Sequence, residues 1–292
     1  MEKSPPLDIA AMLFLLFLCL IRGGNFIAIK VSLSGLKPLL SSGGRNFIAA
    51  SVLIFYVWCM RRQFRYPRQQ VVILLFMGVV LAANFAIVYS GMQYTTASRS
   101  SIILNAQPLF VALLTRFFLK GDKATSRKFL GLTLSFIGIV VVFADKDSSL
   151  AFQTITGDLM ILCAAFIWGI MVILRKWIAQ KVDITAVTMY ELGTSASLLL
   201  PAGFVFEGPG SIHLSVPVVM ALLYSALLGS AFVFTANVYL IKKYDVNSVS
   251  SFNFITPLAG TTFGILLLGD TFSPQIGIGA VLVALGIYIV NC

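Results

Sequence analysis

Apolar residues occur in blocks about twenty long from one end of the chain to the other, with short polar punctuation between them. A helix rises 1.5 Å per residue, so a block of about twenty crosses a hydrocarbon core of about 30 Å. The pattern predicts ten transmembrane helices, at residues 8–30, 38–60, 71–91, 96–118, 126–144, 157–177, 184–206, 215–238, 248–268 and 274–291. Short span 126–144 and soft boundaries at Gly121, Pro201 and Pro274 leave nine as the alternative count. The connections are only a handful of residues each, too short for a soluble catalytic or binding domain. The first block follows one lysine and has no small-residue cleavage site, so it reads as a retained span.

Composition agrees with that pattern. Of 292 residues, 59% are hydrophobic and 11% charged, with a mean hydropathy of +0.95. A soluble domain has about 45–50% and about 25%.

The net charge of +10 could suggest nucleic acid binding, but its distribution excludes that reading. With the N-terminus inside, the inner connections hold fifteen cations, from Lys3 through the 61–68, 116–128, 175–181 and 242–243 groups, and the outer ones only Lys37 and Lys146. That asymmetry is the positive-inside rule and places both termini in the cytoplasm of an inner-membrane protein. Attraction to anionic membrane lipid follows as a by-product. Arg22, Lys30, Arg45 and Arg99 remain outside this pattern. Three cysteines inside spans, a terminal Cys292 and a lone His213 give no metal framework, and no cofactor motif is present.

The two halves of the chain resemble each other at an offset of roughly 146 to 150 residues. Arg22-Gly23 aligns with Trp168-Gly169, Lys30 with Lys176, Pro108 with Pro257, and Gly121-Asp122 with Gly269-Asp270. Gly131 aligns with Gly279 and Gly138 with Gly286. Five spans per half is an odd number, so the second copy enters the membrane from the opposite side. The expected fold is an all-α integral membrane protein of two inverted five-helix repeats, 1–147 and 148–292, around a central cavity. Such a repeat serves alternating access.

On Arg22-Gly-Gly-Asn-Phe-Ile-Ala-Ile-Lys30, Gly44-Arg45-Asn46-Phe47, Ala97 to Pro108 ending in Leu119-Lys-Gly-Asp122, and Pro257 to Asp270, the chain resembles the drug/metabolite transporter superfamily. Within it, the likeness is to the bacterial ten-span EamA-like transporters. The resemblance implies a cavity lined mainly by spans 1, 3, 4, 6, 8 and 9, and transport of small organic metabolites, often by export. Arg22 stands where that family usually has tryptophan, and Asp122 and Asp270 where glutamate is common. The arginine shifts the expected substrate toward an amino-acid-like or other organic anion. Amphiphilic drugs and neutral or cationic metabolites are the alternative.

Counting 1.5 Å per residue puts Arg22 roughly 21 Å above the inner face, Asn84 roughly 20 Å, and Arg45 about 10 Å below the outer face, so the three share a layer. Asn25 falls within roughly 60° of Arg22 on the same helix. Ser98, Ser101 and Asn105 share one face of span 4, where Pro108 removes a mid-helix hydrogen bond; Pro257 does the same in span 9 beside Thr256 and Asn253. Trp168 and Tyr224 are aromatic cavity candidates that each carry a polar atom. An intramembrane cation costs about 2.5–3.5 kcal/mol and needs a partner, water or substrate. Arg22 and Arg45 can hold a substrate carboxylate or phosphate, or bond nearby carbonyls; Lys30 and Arg99 are expected to snorkel to the outer interface. Glu191 occupies the repeat position of Arg45, but roughly 10 Å of height separates them. It is either a proton-coupling carboxyl or a structural group bonded to span 6 or the inner mouth.

A membrane enzyme would need a catalytic set and a channel a filter loop; neither motif is present. The expected partners are a small-molecule substrate and membrane lipid, with no nucleic acid. Monomer and dimer are equally compatible.

Overall fold

The computed structural model describes residues 8–62, 64–107, 110, 114, 126–144, 151–178, 181–233, 236, 240 and 252–291. Among them the fold is all-helical: α1 (Ile9–Ser32), α2 (Pro38–Cys59), α3 (Arg68–Tyr94), α4 (Ala97–Leu104), α5 (Ser126–Phe143), α6 (Ala151–Ile178), α7 (Ile184–Phe206), α8 (Val216–Leu223), α9 (Ile255–Leu268) and α10 (Pro274–Asn291). Each of these helices falls on one of the expected spans. Among the described residues α1, α2, α3 and residues 152–175 of α6 are long and apolar enough to cross a membrane by themselves. Large apolar side chains such as Trp58 (72% exposed) and Phe55 (62% exposed) line outward faces, while serines, asparagines and ionised groups sit inside. A soluble protein has the reverse arrangement.

Helix ends follow local chemistry. Asp8 caps α1 by accepting from the Ala11 N–H at 2.7 Å, and Thr96 caps α4 at the Arg99 N–H, 3.2 Å. Pro38 opens α2, where its missing N–H costs nothing. The Glu207 carboxylate reaches across from the end of α7 to the α2 Leu39 and Leu40 N–H groups, at 2.8 and 3.0 Å. Gly269 ends α9 at a φ of +69°, a conformation that favours glycine.

Three departures from the expected spans matter for the site. α4 closes at Leu104 with Asn105 as its cap, where one continuous span was expected; Pro108 lies outside the described residues. Pro257 is not a mid-helix kink. A 3-10 turn, Phe252–Phe254, precedes α9, so Pro257 lies in the first α turn, where a missing donor is tolerated. The third departure is in span 8: α8 widens at Tyr224 into a π-helix, Tyr224–Phe232.

α2 packs chiefly on α7, α5 on α10, α3 on α6 and α7, α1 on α9 and α8, and α4 on α9 and α6. The α2–α7 crossing is antiparallel and built on glycine. A Cβ on Gly43 would lie 2.9 Å from the Leu200 nitrogen, and one on Gly203 would lie 2.9 Å from Leu40. One turn beyond Gly43, Asn46 Nδ2 donates to Ser195 Oγ at 2.9 Å. In the α5–α10 crossing, Gly138 packs on Gly279 and Gly131 on Gly286. Close backbone approach and interhelical hydrogen bonds take over here because lipid weakens the hydrophobic drive between spans.

Candidate functional site: a polar layer between α1, α2 and α8

Arg45 projects from α2 into the bundle and is 5% exposed. Its Nε donates to the Ser225 carbonyl at 3.3 Å and its Nη2 to Ser230 Oγ at 2.7 Å. The guanidinium lies 4.8 Å from the centre of the Phe85 ring, which contributes a cation–π contact. Nη1 is buried and has no hydrogen-bond partner.

The π turn of α8 makes this arrangement possible. A π-helix pairs residues five apart, and Ser230 Oγ donates to the Ser225 carbonyl at 3.2 Å. That carbonyl and hydroxyl then both face Arg45. Ser225 Oγ donates to Asn25 Oδ1 at 2.7 Å, and the Tyr224 hydroxyl donates to the Ile21 carbonyl at 3.0 Å, lying over Gly24. A Cβ on Gly229 would overlap the Asn25 amide and displace it from Ser225. Half-buried Arg22 Nη1 donates to Asn253 Oδ1 at 2.7 Å, tying α1 to the turn before α9.

Two other interior cations, Arg99 and Arg175, are neutralised by carboxylates. Arg99, 3% exposed, donates from Nε to Asp158 Oδ2 at 2.9 Å and from Nη2 to the same oxygen; Thr95 Oγ1 donates to Asp158 Oδ1 at 2.5 Å. Arg99 therefore does not snorkel to the outer interface as expected, because Asp158 on α6 pairs with it inside the bundle. Glu191, wholly buried, accepts from Arg175 Nε at 3.0 and 3.1 Å and from Nη2 at 2.6 Å. Arg175 lies 5.4 Å from the Trp168 ring. Lys30 Nζ donates to the Met92 and Thr95 carbonyls at 2.5 and 2.7 Å, at the C-terminal end of α3 where a cation is favoured. It bonds inward and does not snorkel.

The expected residues separate accordingly. Arg22, Asn25, Arg45, Tyr224 and Asn253 come together around α1. Trp168 joins that layer at its edge, its ring edge-on to Phe85 at 5.9 Å. Asn84 turns away and donates to the Ala164 carbonyl at 2.7 Å, and its Oδ1 is buried without a partner. Ser101 and Asn105 form a separate α4 group: Asn105 donates to the Ser101 carbonyl at 2.7 Å, and Ser101 Oγ to the Ser98 carbonyl at 2.8 Å and the Pro257 carbonyl at 3.4 Å. Glu191 binds span 6, the structural alternative for that residue, and makes no pair with Arg45.

Sequence reasoning missed Ser225, Ser230 and Phe85 as partners of Arg45, and assigned Arg175 to a loop. Gly229-Ser230 within an apolar run, with Ser225 five residues before Ser230, was the available signal. Among the described residues no group of three His, Cys, Asp or Glu could hold a metal ion. Beside the turn between α1 and α2, a shallow cleft of about 430 Å³ is lined by Leu33, Lys37, Gln93, Glu207 and His213 among others.

Helices apolar enough to cross a membrane, with polar and charged side chains turned inward, define a multi-pass helical membrane protein. Two stretches, 9–144 and 155–292, each match the EamA-like transporter family, and the chain belongs to that family. Its members are transporters and not enzymes. The uncharacterised transporter YoaV of Bacillus subtilis is 26% identical over 281 residues, covering 96% of each chain. A probable amino-acid metabolite efflux pump of Escherichia coli is 28% identical over 94% of this chain and 92% of its own. An S-adenosylmethionine/S-adenosylhomocysteine transporter of Chlamydia muridarum is 24% identical over 96% of this chain and 90% of its own. A solved crystal structure superposes with a TM-score of 0.70 at 16% identity, covering 97% of this chain and 98% of that one, which shows a shared fold.

Proposed function

We propose that the chain is a secondary transporter that moves a small organic metabolite across the cytoplasmic membrane by alternating access, as an exporter or exchanger. Its frame is two inverted repeats, 1–147 and 148–292, with both termini in the cytoplasm. The observation that carries this reading is the crosswise packing of glycines. Gly131 and Gly138 correspond in sequence to Gly279 and Gly286, yet Gly138 packs on Gly279 and Gly131 on Gly286. Two copies related by a two-fold axis make such a contact, in which i meets j′ and j meets i′. The other helix contacts support the same relation. Exchanging α1 with α6, α2 with α7, α3 with α8, α4 with α9 and α5 with α10 turns α1–α9 into α6–α4, and α3–α6 into α8–α1.

Two near-equivalent halves give two near-equivalent packings, one open to each side. A substrate bearing an acid group is favoured by the interior cations, and the efflux pump and adenosyl-compound relatives support an amino-acid-like metabolite. The test is counterflow of labelled amino acids and organic acids in proteoliposomes. A carrier accumulates label against its gradient when loaded with unlabelled compound; a channel cannot, and an enzyme would alter the compound. Absence of counterflow across the panel sinks the reading.

A further inference from the structure

We infer that Arg45, and not Arg22, anchors the acid group of the substrate, through Nη1 and with the π turn of α8 as the part that yields to admit it. The inference rests on the carrier reading and assigns the ligand chemistry of its site: a carboxylate or a phosphate.

The accounting of charge leads there. Six of the chain's acidic residues are described, and every one is engaged away from Arg45. Asp8, Asp183 and Glu207 serve helix N-termini, Asp270 accepts from the Ser98 N–H at 2.9 Å, Asp158 holds Arg99, and Glu191 holds Arg175. Among the described residues the Arg45 guanidinium faces a carbonyl, a hydroxyl and a ring face, with Nη1 unsatisfied. Leaving a buried charged donor unpaired is costly, and a bundle that neutralises Arg99 and Arg175 internally has not done so here. A forked guanidinium matches the two oxygens of a carboxylate or phosphate.

Arg22 also has no carboxylate beside it and donates to the Asn253 side-chain carbonyl, but among the described residues the buried nitrogen without a hydrogen-bond partner belongs to Arg45 and not to Arg22. The π segment supplies the movable element. A π turn can relax toward regular α-helix by a shift of register, which withdraws the Ser225 carbonyl and the Ser230 hydroxyl from Arg45 and exposes Nε and Nη2 beside Nη1.

The test uses the full chain in detergent and follows its thermal midpoint with succinate, inorganic phosphate and the neutral succinamide, at matched ionic strength. Succinate or phosphate is expected to raise the midpoint and succinamide is not; the two anions together distinguish carboxylate from phosphate recognition. Arg45→Gln is expected to weaken the anion's apparent affinity about ten- to hundredfold, the range for hydrogen bonds to a charged group, while Arg22→Gln changes it by less than about threefold. Where Arg45→Gln does not fold, Arg45→Lys decides, with a loss of about tenfold expected because lysine keeps the charge but not the fork. Equal shifts by succinate and succinamide, no shift by either anion, undiminished affinity in the Arg45 variants, or equal loss in Arg22→Gln overturns the assignment. Counterflow measured alongside keeps the two readings apart: anion binding lost in Arg45→Gln without wild-type counterflow defeats the carrier alone.

Discussion

Arg45 and Arg99 are two arginines of nearly equal burial, 5% and 3% exposed, in opposite electrostatic circumstances. Arg99 is closed by Asp158, which Thr95 in turn holds, so its charge is cancelled within the fold. Among the described residues Arg45 meets neutral groups and a ring face, and its Nη1 has no hydrogen-bond partner. Burial alone therefore does not tell a structural cation from a functional one in a membrane bundle. The partner does, because an ion pair ends the need for a counter-charge and a carbonyl does not.

The comparison breaks most visibly at the ion pair. Asp158→Ala leaves Arg99 buried without a counter-charge and is expected to cost about 3–5 kcal/mol of stability, read as loss of folded yield and a lower thermal midpoint. An unchanged midpoint would make Arg99 no different from Arg45. Gly286→Ala, which pushes a Cβ against Ser135 and the Gly131 carbonyl, is expected to cost about 1–3 kcal/mol by forcing α5 and α10 apart.

Arg45→Met should behave oppositely to Asp158→Ala, staying within about 1 kcal/mol of wild type in thermal unfolding, since it removes an unsatisfied donor with the charge. The double variant Arg99→Met with Asp158→Leu is likewise expected to be near neutral by the same measurement, showing that the pair is costly to halve but replaceable as a whole. Ser230→Ala is expected to cost about 0.6 kcal/mol, the average for an interhelical hydrogen bond in a membrane, resolvable by denaturant titration.

Helix positions were readable from the chain because the bilayer imposes one length and one solvent on every span; each expected block carries a helix among the described residues. Arg22, Asn25 and Arg45 were readable as interior polar residues because rise per residue converts sequence position to depth. Their partners were not. Depth says nothing of rotation: residue counting puts Asn84 in the same layer, yet it faces Ala164. Arg99 looked like an interfacial cation because its neutralising group, Asp158, lies 59 residues away on another helix.

The sequence by itself determined that this is a bundle of membrane-crossing helices with related halves and a few interior cations, since apolar run length and spacing are one-dimensional quantities. Only the tertiary structure decided which cations are satisfied. Pairing depends on how neighbouring helices turn and where their turns widen, as at Tyr224–Phe232, and those rotations are set by packing between segments far apart in the chain.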